Sequence, residues 1–468
     1  MTAPKTLDAP YEPPRIFGPL YRTASLGILL VVTLIAFEGM SISTVMPAVS
    51  EALDALDLYG ISISAFLIAG LFANVVAGLW SDRRGHAVPF LLGVGLFTAG
   101  MALAGAAWSK EVFIAARVVQ GLGGGSAIVA IYVMIARVYA PEARPRIFAA
   151  LSAAWVLPAL VGPGVSGIIA GTVGWRWVFY GIVPLVVPAL VMLLPALRGD
   201  GGETPAPGSG SAPGSGPRSR PLPMTLAALA TAVGAGVLLA GADRLHTDPV
   251  TGGIATAAGL AALAAGLPRL LPAGSLRFGR GLPTTIMMRG VLAAAFFGVN
   301  SYIPLVLEKE LGFGLAQAGI ALTVGALGWS TGSYLQARRE WDRALLVRLG
   351  AAAVTAGILL TGLGLVPGLT GWLMAPAWLV AGLGMGVSMP SVNVTAMRQS
   401  PDAEQGANSA ALQVVDTLGS GLTIGFGGVL VNLIGHDDIA TGYLTIVALM
   451  AVIGLAGAAA AGRMRDAS

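Results

Sequence analysis

Long apolar runs recur along almost the whole chain, and they constrain its fold more than any other feature. A helix that crosses a lipid bilayer needs about 20 mostly apolar residues. Runs of roughly this length, separated by charged or Pro/Gly-rich breaks, occur at 24–49, 58–80, 88–107, 112–136, 147–171, 176–196, 223–242, 251–267, 284–307, 313–336, 345–366, 371–395, 405–433 and 440–462. Only 11% of the residues are charged, against about 25% in soluble proteins. The sequence therefore predicts an all-α integral membrane protein with fourteen transmembrane helices.

The apolar runs are grouped as six, two and six. A Gly/Ser/Pro-rich stretch, which is typical of flexible linkers, follows the sixth run. In chain order we predict a cytoplasmic N-terminal tail (1–23), an N-terminal six-helix bundle (24–196), a flexible cytoplasmic linker (197–222), an extra helix pair (223–267), a second cytoplasmic linker (268–283), a C-terminal six-helix bundle (284–462) and a cytoplasmic tail (463–468).

The positive charges predict how these helices are oriented. With the N-terminus inside, 21 of the 27 Lys and Arg residues fall on the inner side and four on the outer side. This inner excess is the pattern of membrane proteins whose positive loops stay in the cytoplasm. If only one of the two middle runs crossed, the segment RREWDR (338–343) would move outside, so both cross or neither does. We expect a multi-pass protein with both termini cytoplasmic. Because Arg outnumbers Lys and Ala and Gly are abundant, the expected location is the plasma (inner) membrane of a bacterium.

Several classes of function are disfavoured. Cysteine is absent, which excludes disulfides and thiol chemistry, and no basic tract suggests a nucleic acid as partner. All three histidines (His86, His246 and His436) fall in predicted loops, and there is no nucleotide-binding Gly-Lys motif, so an enzyme is disfavoured. A signalling receptor is disfavoured because its output domain is missing. We expect a monomer in the lipid bilayer, with no cofactor and no metal site.

Four charged residues stand inside the apolar runs. Glu38 and Asp416 are the carboxylates well within predicted spans, and Arg117 and Arg289 are the arginines. A charge at the centre of a bilayer is unfavourable by about 2.5–3.5 kcal/mol on insertion scales, so such residues usually face a protein interior or a water-filled cavity. The four residues are therefore candidates for function.

Three short segments combine glycine with charged residues or proline. The first inner loop reads GLWSDRRGH (78–86), where charges at helix ends complement the helix dipoles. The fourth run opens with RVVQGLGGG (117–125), whose glycines let another helix approach closely. The fifth contains LVGPGVSG (160–167), where Pro163 bends a helix between glycines. Taken singly, an ordinary basic turn and plain helix packing would account for them.

Together and in this order, the segments resemble the major facilitator superfamily, in particular its fourteen-helix drug:proton antiporter branch, over essentially all of residues 24–462. The positions that match its motifs are Gly78, Asp82, Arg83 and Gly85 in the first inner loop, Arg117, Gln120 and Gly121 in the fourth helix, Gly162, Pro163 and Gly167 in the fifth, and Glu38 and Pro47 in the first. There are departures: His86 and Ala87 replace a basic pair, and Gln336 stands where the second half would repeat the loop's acid.

The resemblance implies two six-helix bundles around a central cavity that is lined mainly by the first and fourth helices of each half. It makes Glu38, Asp416, Arg117 and Arg289 candidates for proton coupling. The alternatives are a permanent ion pair for Glu38, extension to the lipid interface for Arg289, and bonding to neighbouring helices for Asp416. Candidates for the substrate surface, with helix packing as the alternative, are Phe37, Met40, Trp155, Phe296, Phe297, Asn300, Tyr302 and Trp329.

These features favour a proton-coupled secondary transporter that exports small amphipathic compounds, of the multidrug efflux type, by alternating access. The proton gradient is the expected energy source. A lipid or metabolite exporter on the same scaffold is the alternative, and a uniporter or importer is disfavoured by the fifth-helix motif and the buried acids. No residue in the sequence identifies the substrate.

Overall fold

Helices make up the regular structure of the described chain, as the apolar runs require. The computed structural model describes residues 15–198, 221–338, 341–401, 404–434 and 438–465, and it contains no strand in these ranges. A helix satisfies its backbone hydrogen bonds within one segment, which a lipid-exposed chain must do because lipid offers no partners. Most of the predicted 197–222 linker lies outside the described residues, as do the outer parts of the predicted tails 1–23 and 463–468.

The N-terminal bundle contains six crossings. Its helices are α1 (Arg22–Ala52), α2 (Tyr59–Arg84), α3 (Ala87–Ala106), α4 (Lys110–Val138), α5 (Arg144–Thr172), α6 (Arg176–Tyr180) and α7 (Val183–Arg198). The helices α6 and α7 share the sixth crossing. Helix α1 continues through Pro47 and is the longest of this bundle, with 31 residues.

A helical hairpin follows, formed by α8 (Pro221–Arg244) and α9 (Pro249–Leu270). Both helices are longer than the apolar runs at 223–242 and 251–267. The carboxylate of Asp248 accepts a hydrogen bond from the N–H of Thr251 at 3.2 Å and so caps the start of α9. With 24 and 22 residues, both helices are long enough to cross a bilayer.

The C-terminal bundle also contains six crossings. Its helices are α10 (Leu282–Asn300), α11 (Ile303–Lys309), α12 (Leu315–Ala337), α13 (Arg343–Thr361), α14 (Met374–Gln399), α15 (Gln405–Ile434) and α16 (Ile439–Ala460). The ninth crossing is divided between α10 and α11 near Pro304, which has no N–H to donate to the preceding turn. The break places Tyr302 between the two helices.

Thirteen of the described helical segments are long and apolar enough to cross a membrane. The fourteenth, α12, has 23 residues but is more polar, with Ser330, Thr331 and Ser333 in its second half. The predicted fold is thereby confirmed. Since an even number of crossings returns the chain to its starting side, α1 begins and α16 ends at one face, here called the terminal face. The opposite face, where α1 ends and α2 begins, is the distal face.

Two seams join the bundles, one between α5 and α12 and the other between α2 and α15. Small residues let these helices approach closely, as is common in membranes. Helix α8 packs against both α2 and α15. The extra hairpin therefore covers the α2–α15 seam and contacts both bundles.

Candidate functional site

Glu38 and Arg117 form a buried ion pair in the N-terminal bundle. Glu38 lies on α1 and Arg117 on α4, and a guanidinium Nη1 of Arg117 donates to Glu38 Oε1. The two side chains are 3% and 1% exposed. The pair is thus sealed from solvent by the surrounding helices.

Three further groups hold Arg117 in place. Its Nη1 also donates to Gln120 Oε1 at 2.7 Å, and its Nε donates to the carbonyl of Ser62 at 3.3 Å. The ring of Phe66 lies under the guanidinium, with 4.8 Å between the guanidinium carbon and the ring centroid. The second carboxylate oxygen of Glu38, Oε2, has no hydrogen-bond partner among the described residues. Glu38 therefore contacts Arg117 through one carboxylate oxygen and leaves the other without a described partner.

Arg289 and Asp416 form a second ion pair, in the C-terminal bundle. Arg289 Nε lies 3.3 Å from Asp416 Oδ1, but it does not make a hydrogen bond to any described group. Arg289 Nη1 donates instead to Asn393 Oδ1 on α14 at 2.6 Å. Arg289 does not simply extend to the lipid interface, since two other helices of its bundle bind it.

The two pairs differ in their access to water. Arg289 and Asp416 are each 20% exposed, against 3% or less for Glu38 and Arg117. Tyr132 on α4, in the other bundle, lies close enough to Arg289 for an electrostatic interaction, and 41% of its surface is accessible. Asp416 is thus partly accessible, as a side chain in a crevice between the bundles would be, and Glu38 is not.

Polar contacts join the two bundles at the distal face. Lys309 Nζ binds Glu51 Oε2 at 2.6 Å, and the hydroxyl of Tyr59 donates to the carbonyl of Ser301 at 3.0 Å. Within the C-terminal bundle, the hydroxyl of Tyr302 donates to the carbonyl of Ile424 in the second half of α15. The rings of Tyr59 and Tyr302 lie 5.4 Å apart and are fully buried. Tyr302, a candidate for the substrate surface, thus belongs to this distal closure.

Asn432 connects both bundles with the extra hairpin. Its Nδ2 donates to the backbone carbonyl of Asp57, just before α2, and to Asp243 Oδ1 on α8 at 2.8 Å. Asp57 in turn binds Lys110 Nζ at 2.6 Å. Three separate parts of the chain meet at this one side chain on the distal face.

The loop motif between α2 and α3 lies at the terminal face. Gly85 has a φ of +88°, which a residue with a Cβ rarely adopts, and so allows the turn into α3. Gly78 leaves space beside Val129, and Arg83 is exposed. The side chain of Asp82 lies outside the described part. In the corresponding segment of the second half, Gln336 accepts a hydrogen bond from Arg343 and takes the place of an acid.

The glycine motifs mediate close contacts between helices. A Cβ at Gly121 would overlap the backbone of Phe66, so this glycine lets α4 approach α2. In the fifth-helix motif, a Cβ at Gly167 would lie 2.6 Å from the carbonyl oxygen of Leu315 on α12. Pro163 lies against Gly319 of α12, and Gly162 accepts a hydrogen bond from Ser41 on α1 at 3.4 Å. This motif therefore lies at the α5–α12 seam.

Four aromatic side chains cluster in the C-terminal bundle, on α10, α12 and α14. The ring of Phe296 stacks on Trp378 at 4.5 Å and meets Trp329 edge-on at 5.5 Å, and Phe297 lies 6.2 Å from Trp329. Trp378 Nε1 donates to Asn300 Oδ1 at 3.1 Å. Phe296 and Trp378 are buried, whereas Phe297 and Trp329 are partly accessible. Packing thus accounts for Phe296, whereas Phe297 and Trp329 keep part of their surface accessible.

The remaining substrate-surface candidates lie in the N-terminal bundle. Phe37 and Met40 on α1 are partly accessible and face Gly162 of α5. Trp155 on α5 is 36% exposed. The structure does not bring these three side chains into the aromatic cluster.

Sequence reasoning missed Asn393, Trp378 and Asn432. Each is a single polar or aromatic residue in an apolar helix, and its neighbours depend on how that helix is rotated. An internal charge was the signal that identified Arg289 and Asp416, but a neutral amide such as Asn393 carries no such signal.

Residues 28–424 match the sequence profile of the Major Facilitator Superfamily. This chain belongs to the major facilitator superfamily. The prediction made from its motifs is confirmed. A probable multidrug-efflux transporter of Mycobacterium tuberculosis is 26% identical over 417 residues, which cover 86% of each of the two proteins. The multidrug efflux pump SdrM of Staphylococcus aureus is 21% identical over 319 residues, 65% of this chain and 66% of that protein.

Solved structures support the same fold. An auto-inhibited peptide transporter of the POT family superposes with a TM-score of 0.67 at 15% identity, over 95% of this chain and 98% of that one. The xylose transporter XylE from E. coli, in a partially occluded inward-open conformation, gives 0.57 at 14% identity, over 92% and 96%. As a member of the major facilitator superfamily, the protein is a multi-pass membrane transporter.

Proposed function

We propose that the protein is a proton-coupled exporter of small amphipathic compounds, of the multidrug efflux type, which works by alternating access. The observation that carries the proposal is the sealed Glu38–Arg117 pair. A carboxylate and a guanidinium deep in an apolar bundle are expensive to maintain and are usually tied to function in membrane proteins. The curated relatives in Mycobacterium tuberculosis and Staphylococcus aureus, both named as multidrug efflux proteins, support the substrate class.

Protonation of Glu38 would remove the charge that holds Arg117. The free Oε2 is the atom that takes the proton, and Arg117 then relies on Gln120 and the carbonyl of Ser62. Helix α1 is thereby released from α4. Since α1 also packs on α5, which lies at a seam between the bundles, its release is transmitted to the contact between the two halves.

Asp416 is the second proton site in this proposal, and it acts from the open crevice. In the described conformation the distal face is held closed by the Glu51–Lys309 pair and by Tyr59 and Tyr302. The crevice is then reached from the terminal face. Asp416 exchanges protons with that side while Glu38 stays sealed, so the two acids act at different stages of the transport cycle.

The proposed setting is the plasma membrane of a bacterium, with both termini and the terminal face in the cytoplasm. The positive charges of the inner loops support this orientation. The proton gradient supplies the energy. The partly accessible aromatic residues Phe297 and Trp329 offer an apolar and polarisable surface to the substrate.

The test is uphill transport of ethidium, a small amphipathic cation, into inside-out vesicles with an imposed proton gradient. Glu38→Gln keeps the size of the side chain but cannot release a proton. This variant should still bind ethidium, and its uphill transport should fall to the level of vesicles without the protein. The control is Glu142→Gln, an exposed acid at the terminal face, which should transport like the wild type.

The binding of ethidium to the purified Glu38→Gln variant should also depend less on pH, because one competing proton site is lost. Full uphill transport by this variant would refute the role of Glu38 and leave Asp416 as the better candidate. A wild-type protein that moves neither ethidium nor other amphipathic cations under a gradient would refute the proposed function itself.

A further inference from the structure

Arg117 and Arg289, the two arginines within predicted spans, each lie against one carboxylate and one side-chain amide. Arg117 donates to Glu38 and to Gln120, and Arg289 lies beside Asp416 and donates to Asn393. In the first set the amide lies on the same helix as the arginine, three residues further along. In the second set the amide comes from another helix, α14. Asn393 therefore does something that Gln120 does not: it ties Arg289 to a third helix.

We propose that Asn393 is a positioning residue that holds Arg289 in place when Asp416 gains a proton. The inference rests on the proposed function, in which Asp416 exchanges protons with the crevice. While Asp416 is charged, Arg289 lies between α14 and α15. Once Asp416 is neutral, its attraction for Arg289 is lost, and the hydrogen bond to Asn393 remains.

Asn393 makes the shorter contact to Arg289. Its oxygen lies 2.6 Å from Arg289 Nη1 in a hydrogen bond, whereas Arg289 Nε lies 3.3 Å from Asp416 Oδ1 without one. A buried guanidinium left without partners is strongly destabilising. By keeping one partner on Arg289, Asn393 makes the protonated state of Asp416 accessible. Protonation then removes the ion pair between α10 and α15, the helix at the α2–α15 seam, and leaves the hydrogen bond between α10 and α14.

The other charged groups near Asp416 do not replace Asn393. Arg289 is the charged residue that acts on Asp416. Tyr132 of α4 faces Arg289 from the other bundle. The helices α2, α8 and α14 also pack against α15, and their charged residues lie at the helix ends, as do Arg83, Asp243 and Arg398. The helix α16 contributes the buried phenol of Tyr443, which forms a hydrogen bond with Thr361.

The test is an infrared titration of the purified full-length protein in lipid vesicles. A protonated carboxylic acid has its own carbonyl-stretch band, and the part of this band that Asp416→Asn removes belongs to Asp416. Asn393→Leu keeps the size of the side chain and removes the amide. The energy of one hydrogen bond to a charged group limits the shift in the midpoint of the Asp416 band to about one to two pH units. The shift should be toward lower pH, because the protonated state has lost the partner of Arg289.

Three other variants complete the design. Asn393→Ala removes the amide without adding bulk and should give the same acid shift, in case the leucine variant does not fold. Asn393→Gln restores an amide oxygen and should return the midpoint toward that of the wild type. Ser391→Ala, two residues away on the same helix, removes a hydroxyl that bonds only within α14 and should leave the midpoint unchanged.

Unchanged midpoints in the leucine and alanine variants would overturn the proposal, as would an equal shift in Ser391→Ala. If Asp416→Asn removes no band, Asp416 does not take up a proton and the proposal also fails. Measuring ethidium transport shows whether only the role of Asn393 fails or the proposed function fails as well. Uphill transport that survives in Asp416→Asn and is lost in Glu38→Gln would leave the function in place and refute only the role of Asn393.

Discussion

Adding one methyl group at Gly60 should open the distal face. Gly60 lies at the start of α2, where a Cβ would be 2.5 Å from the hydroxyl of Tyr302, 2.6 Å from the carbonyl oxygen of Ile424 and 2.8 Å from Gly428 Cα. All three atoms belong to the C-terminal bundle. Ordinary contacts of a Cβ are longer than 3.4 Å. Gly60→Ala therefore cannot be accommodated without separating α2 from α15.

The size of the effect follows from the crowding. Two of the three atoms are backbone, and the hydroxyl of Tyr302 is held by its bond to Ile424, so none of them can turn away freely. Overpacking of this kind costs about 1–3 kcal/mol. This overpacking energy is absent once the distal face is open, because α2 and α15 are then apart. At about 1.4 kcal/mol per tenfold change, the ratio of open to closed protein should rise by a factor between roughly 5 and 140.

Pairs of spin labels can measure this shift cleanly, because the chain has no cysteine of its own. Cysteines at Ala52 and Glu310 place one label on each bundle at the distal face, where both positions are exposed. Gly60→Ala should lengthen the distance distribution between them. The control is Gly95→Ala on α3, where a Cβ would meet nothing within 4 Å and the distribution should not change. An unchanged distribution in Gly60→Ala would show that the distal contacts do not form a gate.

Two further predictions concern topology and the terminal face. A cysteine in place of His246, in the turn between α8 and α9, should react with an impermeant reagent only from the outer side of intact cells; labelling from the cytoplasmic side would refute the orientation. The carboxylate of Asp342 accepts hydrogen bonds from the N–H groups of Ala344 and Leu345 and so caps the start of α13. Burial raises the pKa of this carboxyl, but Arg465 and the two N–H groups have the larger combined effect and lower the pKa overall. Its contribution to stability should therefore be present above the ordinary pKa of about 4 and be lost as the pH falls through the lowered value. In Asp342→Asn, hydrogen exchange at residues 344 and 345 should be faster at pH 7 and respond less to acid, and equal exchange in both proteins would contradict the cap.

The fold could be predicted because it depends on composition and spacing. Apolar runs of membrane length, the charge bias of the loops and the three glycine motifs are local properties of the sequence. They identified fourteen crossings, even where α12 has less apolar character than the rest. The break between α10 and α11 was not predicted, although Pro304 marks it, because the apolar run continues through it.

The site was predicted only in part. Glu38, Arg117, Arg289 and Asp416 could be named because charge is rare in apolar spans. Which of them pair was not predicted, since this depends on helix rotation and on contacts between residues 79 or more positions apart in the chain. Tyr302 was grouped with the substrate surface because an aromatic residue at the end of a span fits either role. Its burial and its bond to Ile424 assign it to the distal closure.

The position of α8 has a consequence for compounds that dissolve in lipid. The two seams are the places where an open crevice can meet the bilayer sideways, and α8 lies across the one between α2 and α15. At the other seam, α5 and α12 carry exposed apolar side chains such as Ile168 and Ile320. Amphipathic molecules partition into the membrane before they meet a transporter. With one flank covered by the hairpin, a lateral entry from the bilayer would be one-sided and would lie between α5 and α12, next to Pro163.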